Sequence, residues 1–311
     1  MSDTPLDPHT AAALWTRACG ESFFLSPRAL AYNLRAPRDV VQVGKFAVVN
    51  DERVGFVLAS VLQNHADVAP RAMGWIDALV VAPEFQNRGI GSALLQWAEE
   101  WLRAQGRTLI RLGGGLRPFA PGIPLELHAN FFRARGYVPR AENPIVHDFG
   151  NDLQNYESPK FLRALDVACR PAHADDIDAL RKFFAREFAG RWLYEFEQHL
   201  RDGARISDYF ILESERGIDS CCITTLEDSL RPIERFYPSP LPRPWAQVGA
   251  IGVSADRRNA GYGSALLNAT LKHLRERGVR GCIIDWTHHV GYYERFGFWE
   301  GRGYEVGVKG V

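Results

Sequence analysis

Apolar and polar residues follow one pattern twice along this chain. In the first half, three β-rich runs at residues 40–50, 53–63 and 74–81 precede a stretch at 92–105 whose apolar side chains recur at helical spacing. In the second half, runs at 207–213, 218–225 and 248–253 precede a similar amphipathic stretch at 264–277. The repetition predicts an α/β (α+β) protein of two tandem domains, each with a mixed central sheet flanked by helices.

The predicted domain boundaries follow from a polar segment at residues 150–160, which contains Asn, Asp, Ser and Pro and is typical of a linker. We therefore expect domains at residues 1–152 and 161–311. The second domain opens with a short strand at 167–170, whereas the first starts in a helix near 10–19 and is expected to lack, or borrow, its first strand. The first copy also carries a Gly- and Pro-rich insertion at 113–124.

In both halves the strand before the amphipathic helix ends in a Gly-x-Gly turn. The copies read Gln86-Asn87-Arg88-Gly89-Ile90-Gly91-Ser92 and Arg258-Asn259-Ala260-Gly261-Tyr262-Gly263-Ser264. The first N–H groups of a helix lack intrahelical partners, and glycine lets the backbone approach a phosphate closely. Neither copy has the Gly-Lys-Ser/Thr of a nucleotide-binding P-loop or the third glycine of a dinucleotide fingerprint. The two turns are therefore candidate anion sites of another kind.

This turn, placed after a Val-ended strand, resembles the Gln/Arg-x-x-Gly-x-Gly/Ala signature of the GCN5-related N-acetyltransferase (GNAT) family. The order of elements around both copies is similar to that fold, so the resemblance covers nearly the whole chain as a tandem two-domain member. It implies transfer of an acetyl group from acetyl-CoA to a primary amine by direct attack. The residues that it assigns to cofactor binding are Val81, Gln86, Asn87, Arg88, Gly89, Ile90, Gly91, Ser92, Val253, Arg258, Asn259, Ala260, Gly261, Tyr262, Gly263 and Ser264.

The same resemblance distinguishes the two copies. A family tyrosine that protonates the departing thiolate falls at Tyr293 in the second copy and at Phe132 in the first, and phenylalanine has no proton to donate. The second domain is therefore expected to catalyse the reaction. The alternative for Tyr293 is a packed aromatic residue.

The general base is harder to place from the sequence. Asp285 is the expected general base, although an acidic residue at this position could also cap the helix that follows. His288, His289, Glu234 and a water chain remain alternatives, and Asp77 is the corresponding candidate in the first domain. A proline-rich loop at residues 229–245 is expected to form part of the acceptor pocket, with a surface loop as the alternative.

Composition narrows the class of protein. The chain of 311 residues has 37 basic and 37 acidic residues, which argues against a nucleic-acid-binding surface as its main function. No apolar run reaches the length of a membrane span, and the N-terminus does not resemble a signal peptide. Five cysteines without a Cys-x-x-Cys pair predict free thiols rather than disulfides or a metal site. We thus expect a cytoplasmic enzyme without metal, nucleic-acid or membrane partners.

Several alternatives remain open from the sequence. The expected acceptor is either a small-molecule amine or a peptide amine. The expected oligomeric state is either a monomer, in which the two domains form an internal pseudo-dimer, or a homodimer. A different class of function is an acyl-CoA-binding or sensing protein without turnover. A further possibility is that one domain is purely structural.

Overall fold

The computed structural model describes residues 5–127 and 129–311. The chain divides into two compact units: the described residues up to Val146 together with Arg302–Val311, and His147–Gly301. This division differs from the continuous domains predicted at 1–152 and 161–311, because the last ten residues group with the first unit. The predicted start of the linker is also wrong, since Gly150 lies in a strand and pairs with Ile283.

The elements of the first half follow the predicted order of strands and helices. They are α1 (Pro8–Cys19), α2 (Pro27–Leu34), β1 (Val40–Val49), β2 (Glu52–Leu62), β3 (Met73–Val81), α3 (Ile90–Ala104), β4 (Leu109–Leu112), β5 (Ile123–Pro124), α4 (Ala129–Arg133), β6 (Val138–Pro139) and β7 (Ile145–Asp152).

The elements of the second half repeat this order after an additional first strand. They are β8 (Ala168–Pro171), α5 (Ile177–Glu187), α6 (Arg191–Arg201), β9 (Tyr209–Ser214), β10 (Gly217–Leu226), β11 (Trp245–Val253), α7 (Tyr262–Glu276), β12 (Gly281–Thr287), α8 (Val290–Glu294), β13 (Trp299–Glu305) and β14 (Gly307–Gly310).

The helix predicted at 125–135 is shorter in the structure, where α4 covers Ala129–Arg133. Residues Ile123 and Pro124, just before the predicted helix, form β5, which pairs with Glu305 and Tyr304. His128, which falls within the predicted helix, lies outside the described residues.

Each unit has its own mixed sheet. In the first unit the strand order is β1-β2-β3-β4-β14-β6, with β3 and β4 parallel. In the second unit the order is β13-β7-β12-β11-β10-β9-β8, with β11 and β12 parallel. β7 and β13 each cross the boundary between the units. The final strand in sequence, β14, thus belongs to the first unit's sheet, while most of β7 belongs to the second unit's sheet.

The amphipathic helices α3 and α7 cover their sheets with the predicted apolar stripes. Leu94, Ala98 and Leu102 are fully buried on α3, and Leu267 and Leu271 are fully buried on α7. Burial of these side chains stabilises each helix against its own sheet by roughly 1.5–3 kcal/mol per residue. No helix in the described part of the chain is long and apolar enough to span a membrane.

The last strand is held to the first unit by a buried ionic cluster. Lys309 on β14 lies 2.8 Å and 3.0 Å from the two carboxylate oxygens of Glu99 on α3, a residue only 6% exposed. The hydroxyl of Tyr137 donates to the same carboxylate over 3.0 Å, and Arg103 pairs with it at 3.3 Å. The cluster joins the C-terminal strand to the central helix of a unit formed mainly by the N-terminal half.

We predict that Lys309→Met lowers the free energy of unfolding of the first unit by about 2–3 kcal/mol, because it leaves the buried Glu99 carboxylate with one partner fewer. Hydrogen exchange of α3 amides across a urea series measures the effect. Lys272→Met, on an exposed position of α7, is the matched control and should stay within about 0.5 kcal/mol. Equal protection of α3 in both variants would contradict the role given to Lys309.

Candidate functional site

Both glycine turns have the same backbone conformation. Asn87 and Gly89 have φ of 58° and 80°, and Asn259 and Gly261 have φ of 62° and 98°. Asparagine and glycine are the residues that adopt this left-handed region at least cost. Neither α3 nor α7 has a side-chain cap at its N-terminal glycine, so a side chain does not occupy the first helical N–H groups. The free helical N–H groups would suit a phosphate, and phosphate binding at the two turns stays a prediction.

The first residue of the signature fastens the turn to the strand before it. Gln86 donates from Nε2 to the carbonyl oxygen of Val81 over 2.9 Å. Arg258 donates from Nε to the carbonyl oxygen of Val253 over 3.4 Å. These side chains therefore have a structural role in shaping the turn, besides any contact with a ligand.

The second glycine of each turn lies against an aromatic ring. A Cβ placed on Gly91 would lie 3.3 Å from the ring of Phe131, and one placed on Gly263 would lie 3.2 Å from Val253 Cγ2 and 3.5 Å from the Tyr292 hydroxyl. A larger residue at Gly91 would crowd Phe131 of α4, and one at Gly263 would crowd Val253 of β11. By contrast, nothing described lies within 4 Å of a Cβ placed on Gly89, so the space above that residue is open.

A wedge opens beside each turn where the two parallel strands stop pairing. β3 and β4 pair only from Met73–Leu109 to Ile76–Leu112, and β11 and β12 only from Trp245–Gly281 to Val248–Ile284. On their other side, β3 and β11 each carry a register shift just beyond this point. A bulge of this kind bends the strand away from its neighbour and frees backbone groups for a ligand.

Just after the last parallel pair, each unit has an aspartate on one strand and a glycine on the other, and the two units place the aspartate on opposite strands. The first unit has Asp77 on β3 and Gly113 after β4; the second has Gly249 on β11 and Asp285 on β12. In each unit a glycine makes room for the carboxylate. A Cβ on Gly249 would lie 2.5 Å from Asp285 Oδ1, and one on Gly115 would lie 2.0 Å from Asp77 Oδ1. Each wedge therefore holds one carboxylate, contributed by opposite strands.

A hydrogen-bond network holds the carboxylate of the second unit. Gln247 donates from Nε2 to Asp285 Oδ1 over 2.5 Å. The amide oxygen of Gln247 accepts hydrogen bonds from Thr225 and Arg231, each over 2.8 Å. Burial raises the pKa of Asp285, while Arg231, Gln247 and Arg235 oppose that rise. Asp285 is thus a more basic carboxylate than one in water, and its orientation is fixed.

Tyr293 lies close enough to Asp285 to be influenced by its charge. Burial raises the pKa of the Tyr293 phenol, the neighbouring Tyr292 and the Asp285 charge raise it further, and a hydrogen bond with Thr287 opposes the rise. Its ring packs 5.7 Å from Phe149, centroid to centroid, and the residue is 7% exposed. Tyr293 is therefore both a packed aromatic, as the alternative expected, and a protonated phenol next to a carboxylate.

The first unit has a well-formed cleft in the corresponding place. It encloses about 180 Å³ and is mostly apolar. Residues from four parts of the unit line it, among them Trp15, Cys19, Asp77, Gln86, Phe131 and Phe132. Phe132, which is the sequence counterpart of Tyr293, therefore lines this cleft but has no proton to donate. The contribution of α1, through Trp15 and Cys19, was missed in the sequence because neither residue belongs to a motif.

The other candidates for the general base are His288, His289 and Glu234. His288 and His289 are exposed and stack on each other with ring centroids 4.1 Å apart, and burial lowers the pKa of His289. Glu234 belongs to a short 3₁₀ helix, Ile233–Phe236, within the proline-rich loop. That loop packs against β12 through an apolar cluster that includes Phe236 and Ile283.

The polar partners of Asp285 were not found from the sequence. Gln247 occurs in a strand that is otherwise apolar, Thr225 is one of several polar residues of β10, and Arg231 lies in the proline-rich loop. A glutamine in a buried strand is a weak signal of a polar site, and only the fold shows which carboxylate it contacts.

Comparison with known proteins gives a consistent picture. The sequence model of the acetyltransferase (GNAT) family matches residues 10–115 and 177–298. A mycothiol acetyltransferase of Saccharomonospora viridis is 28% identical over 248 residues, covering 75% of this chain and 74% of the relative. A protein of the same name from Thermomonospora curvata is 26% identical over 240 residues, covering 75% and 73% of the two chains.

Two solved structures share the fold over nearly the whole chain. A glucosamine N-acetyltransferase region of a fungal multi-domain GH3 β-N-acetylglucosaminidase superposes with a TM-score of 0.85 at 24% identity, covering 97% of this chain and 37% of that one. A tandem GNAT protein from the clavulanic acid biosynthesis pathway superposes with a TM-score of 0.70 at 14% identity, covering 98% and 94%. These similarities establish the tandem fold.

We predict that Gln247→Leu raises the pKa of Asp285 further, because it removes a hydrogen bond that stabilises the ionised carboxylate. An NMR titration of the Asp285 side-chain ¹³Cγ resonance measures the change. Gln154→Leu, at an exposed position of the same unit, should leave the titration as it is. A Gln247→Leu variant whose Asp285 titrates as in the unaltered protein would refute the network.

Proposed function

The chain belongs to the acetyltransferase (GNAT) family and is an N-acetyltransferase, and we propose that it transfers the acetyl group of acetyl-CoA to a primary amine in its second unit. The observation that carries this proposal is the placement of Asp285, with its raised pKa, beside the protonated phenol of Tyr293 at the wedge between β11 and β12.

The turn at 258–264 would hold the pyrophosphate of the donor through the uncapped N–H groups of α7. The end of β11, beyond its last pair with β12, would contact the pantetheine amides. A backbone N–H of this strand end would also polarise the thioester carbonyl as negative charge develops on its oxygen. Ala250, with a φ of 48°, interrupts the extended backbone of β11 at this point, where its register with β10 shifts.

In the proposed reaction, Asp285 accepts a proton from the acceptor's ammonium group. The free amine nitrogen then attacks the carbonyl carbon of the thioester, and a C–N bond replaces the C–S bond. Tyr293 donates its phenolic proton to the departing thiolate and recovers one from solvent or from Asp285. The nitrogen loses its second proton to solvent as the tetrahedral intermediate collapses. The products are an amide, the free thiol and one proton released to solvent, so protons and charge balance. Two groups with different proton affinities side by side suit this division of roles.

The acceptor pocket would be formed by the proline-rich loop at 229–245. Arg231 in this loop reaches Gln247, and Phe236 lies 5.8 Å from the ring of Trp286, the residue after Asp285. These contacts place the loop beside the proposed base. We propose a small-molecule amine as acceptor, because one structural relative is described as a glucosamine N-acetyltransferase region. An acetylation screen that follows thiol release should therefore include glucosamine.

The first unit would bind the donor without turning it over. Its turn has the same backbone conformation as the second, and its cleft of about 180 Å³ is open beside Asp77. Phe132 nevertheless replaces the proton donor. This unit corresponds to the sensing function that the sequence left open, confined here to one half of an enzyme.

We predict that Tyr293→Phe lowers kcat by about 10²-fold or more, with little change in CoA affinity, since a general acid contributes about 10²–10⁴-fold. Tyr32→Phe, in α2 of the first unit, is the control and should retain the wild-type kcat. Full turnover by Tyr293→Phe would remove the tyrosine from the mechanism.

We predict that Asp285→Asn lowers kcat/KM by about 10²–10⁴-fold, because the amide cannot accept the proton. In the unaltered enzyme, kcat/KM should fall as the pH decreases through the pKa of Asp285. Because that pKa is raised, the fall should occur at a higher pH than the titration of a carboxyl group in water. Asp178→Asn, at an exposed position of α5, is the control. An acid limb that survives in Asp285→Asn would show that another group titrates.

We predict that Gly261→Val reduces turnover at least about tenfold more than Gly89→Val. Both glycines have positive φ, so the backbone strain of the two variants is comparable. The difference therefore reports which turn supplies the donor for catalysis, and thermal unfolding shows whether both variants fold. The reverse order of effects would assign the chemistry to the first unit.

A further inference from the structure

The segment that joins the two sequence repeats follows the surface of one helix. Tyr156 donates from its hydroxyl to Asn268 Oδ1 over 3.0 Å, and its carbonyl oxygen accepts a hydrogen bond from Arg275 over 2.7 Å. Residues 156–163, here called the strap, continue from this point to Arg163, whose side chain lies on Gly261. All of these residues belong to the second unit.

The two ends of the strap contact one face of α7. Arg275, Asn268 and Gly261 are spaced by seven residues, which is close to two helical turns, so they share a face. The distance from Arg275 to Gly261 is about 21 Å along the helix axis. Within the strap the amide of Leu162 donates to the carbonyl oxygen of Pro159 over 3.3 Å, so the chain turns just before it reaches Arg163.

Apolar contacts hold the strap in the middle. The ring of Phe161 lies 5.4 Å from that of Phe296, centroid to centroid, and the guanidinium of Arg295 lies 3.7 Å over the Phe161 ring. Leu162 also packs against the core formed by α7 and the sheet. The position of the next residue, Arg163, is therefore fixed by its neighbours on the strap.

Arg163 reaches the N-terminal glycine of α7. A Cβ placed on Gly261 would lie 3.6 Å, 3.7 Å and 3.9 Å from Cδ, Cβ and Cγ of Arg163. The side chain is exposed and makes no ion pair or hydrogen bond with the described residues. An unpaired guanidinium is thus held by its stem at the uncapped helix start, where negative charge is already favoured.

The first unit's turn lacks this arrangement in the described part of the chain. A Cβ placed on Gly89 has nothing within 4 Å, and the arginine of that turn, Arg88, lies with its guanidinium 5.4 Å from the Phe85 ring. A second arginine near the first turn, Arg135, already has partners, since it donates to Ser92 Oγ over 2.6 Å and to the carbonyl oxygen of Phe131 over 2.7 Å. The two turns therefore share a backbone conformation but differ in the unpaired cation beside the first glycine.

From these contacts we propose that Arg163 on the strap binds a phosphate of the coenzyme at the second turn. The proposal rests on the donor assignment made above. It gives the linker between the repeats a function in binding at the second turn.

The test is calorimetric titration of the full chain with CoA, dephospho-CoA and pantetheine. Arg163→Ala should weaken CoA binding at one site roughly five- to tenfold, as expected for loss of one exposed charge-assisted contact. Arg163→Lys should restore part of the affinity. Lys160→Ala, which removes an exposed positive charge from the same strap, is the control and should bind as the unaltered chain does.

The three ligands identify the contact. A loss seen with CoA alone assigns Arg163 to the 3′-phosphate, and an equal loss with dephospho-CoA assigns it to the pyrophosphate. An equal loss with pantetheine, or unchanged CoA binding by Arg163→Ala, would overturn the proposal. If the unaltered chain binds none of the three ligands, the donor assignment itself fails, so the two failures are distinguishable.

Discussion

The site of the second unit depends on the point at which β11 and β12 stop pairing. Up to Val248 and Ile284 the two strands share backbone hydrogen bonds, and beyond it their N–H and C=O groups need other partners. Asp285 is the first residue past that point, Tyr293 lies within range of its charge, and the glycine turn follows five residues after the end of β11. A longer ladder would close the wedge and remove the space that we propose for the thioester.

Both units turn the backbone into the left-handed region just after the last parallel pair, but the conformational strain of the turn differs between them. After β4 the chain turns through Gly113 and Gly114, with φ of 66° and 65°, which glycine adopts freely. The second unit makes its corresponding turn at Trp286, with a φ of 50°, and this conformation costs a residue with a side chain about 1–2 kcal/mol. Such strain is typical of functional sites. It agrees with catalysis in the second unit, where retaining Asp285 and Trp286 requires the strained backbone.

Much of the fold was predictable from local pattern. The order of strands and helices, the apolar stripes of α3 and α7 and the Gly-x-Gly turns all depend on residues close in sequence. It was not predictable that β14, the last strand of the second half, joins the sheet of the first unit. This short polar strand carries no signal for which strands it pairs with. The same holds for the contacts of Gln247 with Asp285 and of Arg163 with Gly261, which link residues 38 and 98 positions apart. Tyr293 and Phe132 were distinguished only through the family resemblance.

The most direct test of this account is a crystal structure of the full chain with a non-hydrolysable acetyl-CoA analogue. The account predicts the analogue in the second unit, with its diphosphate on the N-terminus of α7 and the atom that replaces sulfur within hydrogen-bonding distance of the Tyr293 hydroxyl. An analogue in the first unit as well is compatible with binding there. An analogue found only in the first unit, with its acetyl group beside Asp77, would contradict the assignment of catalysis to the second unit.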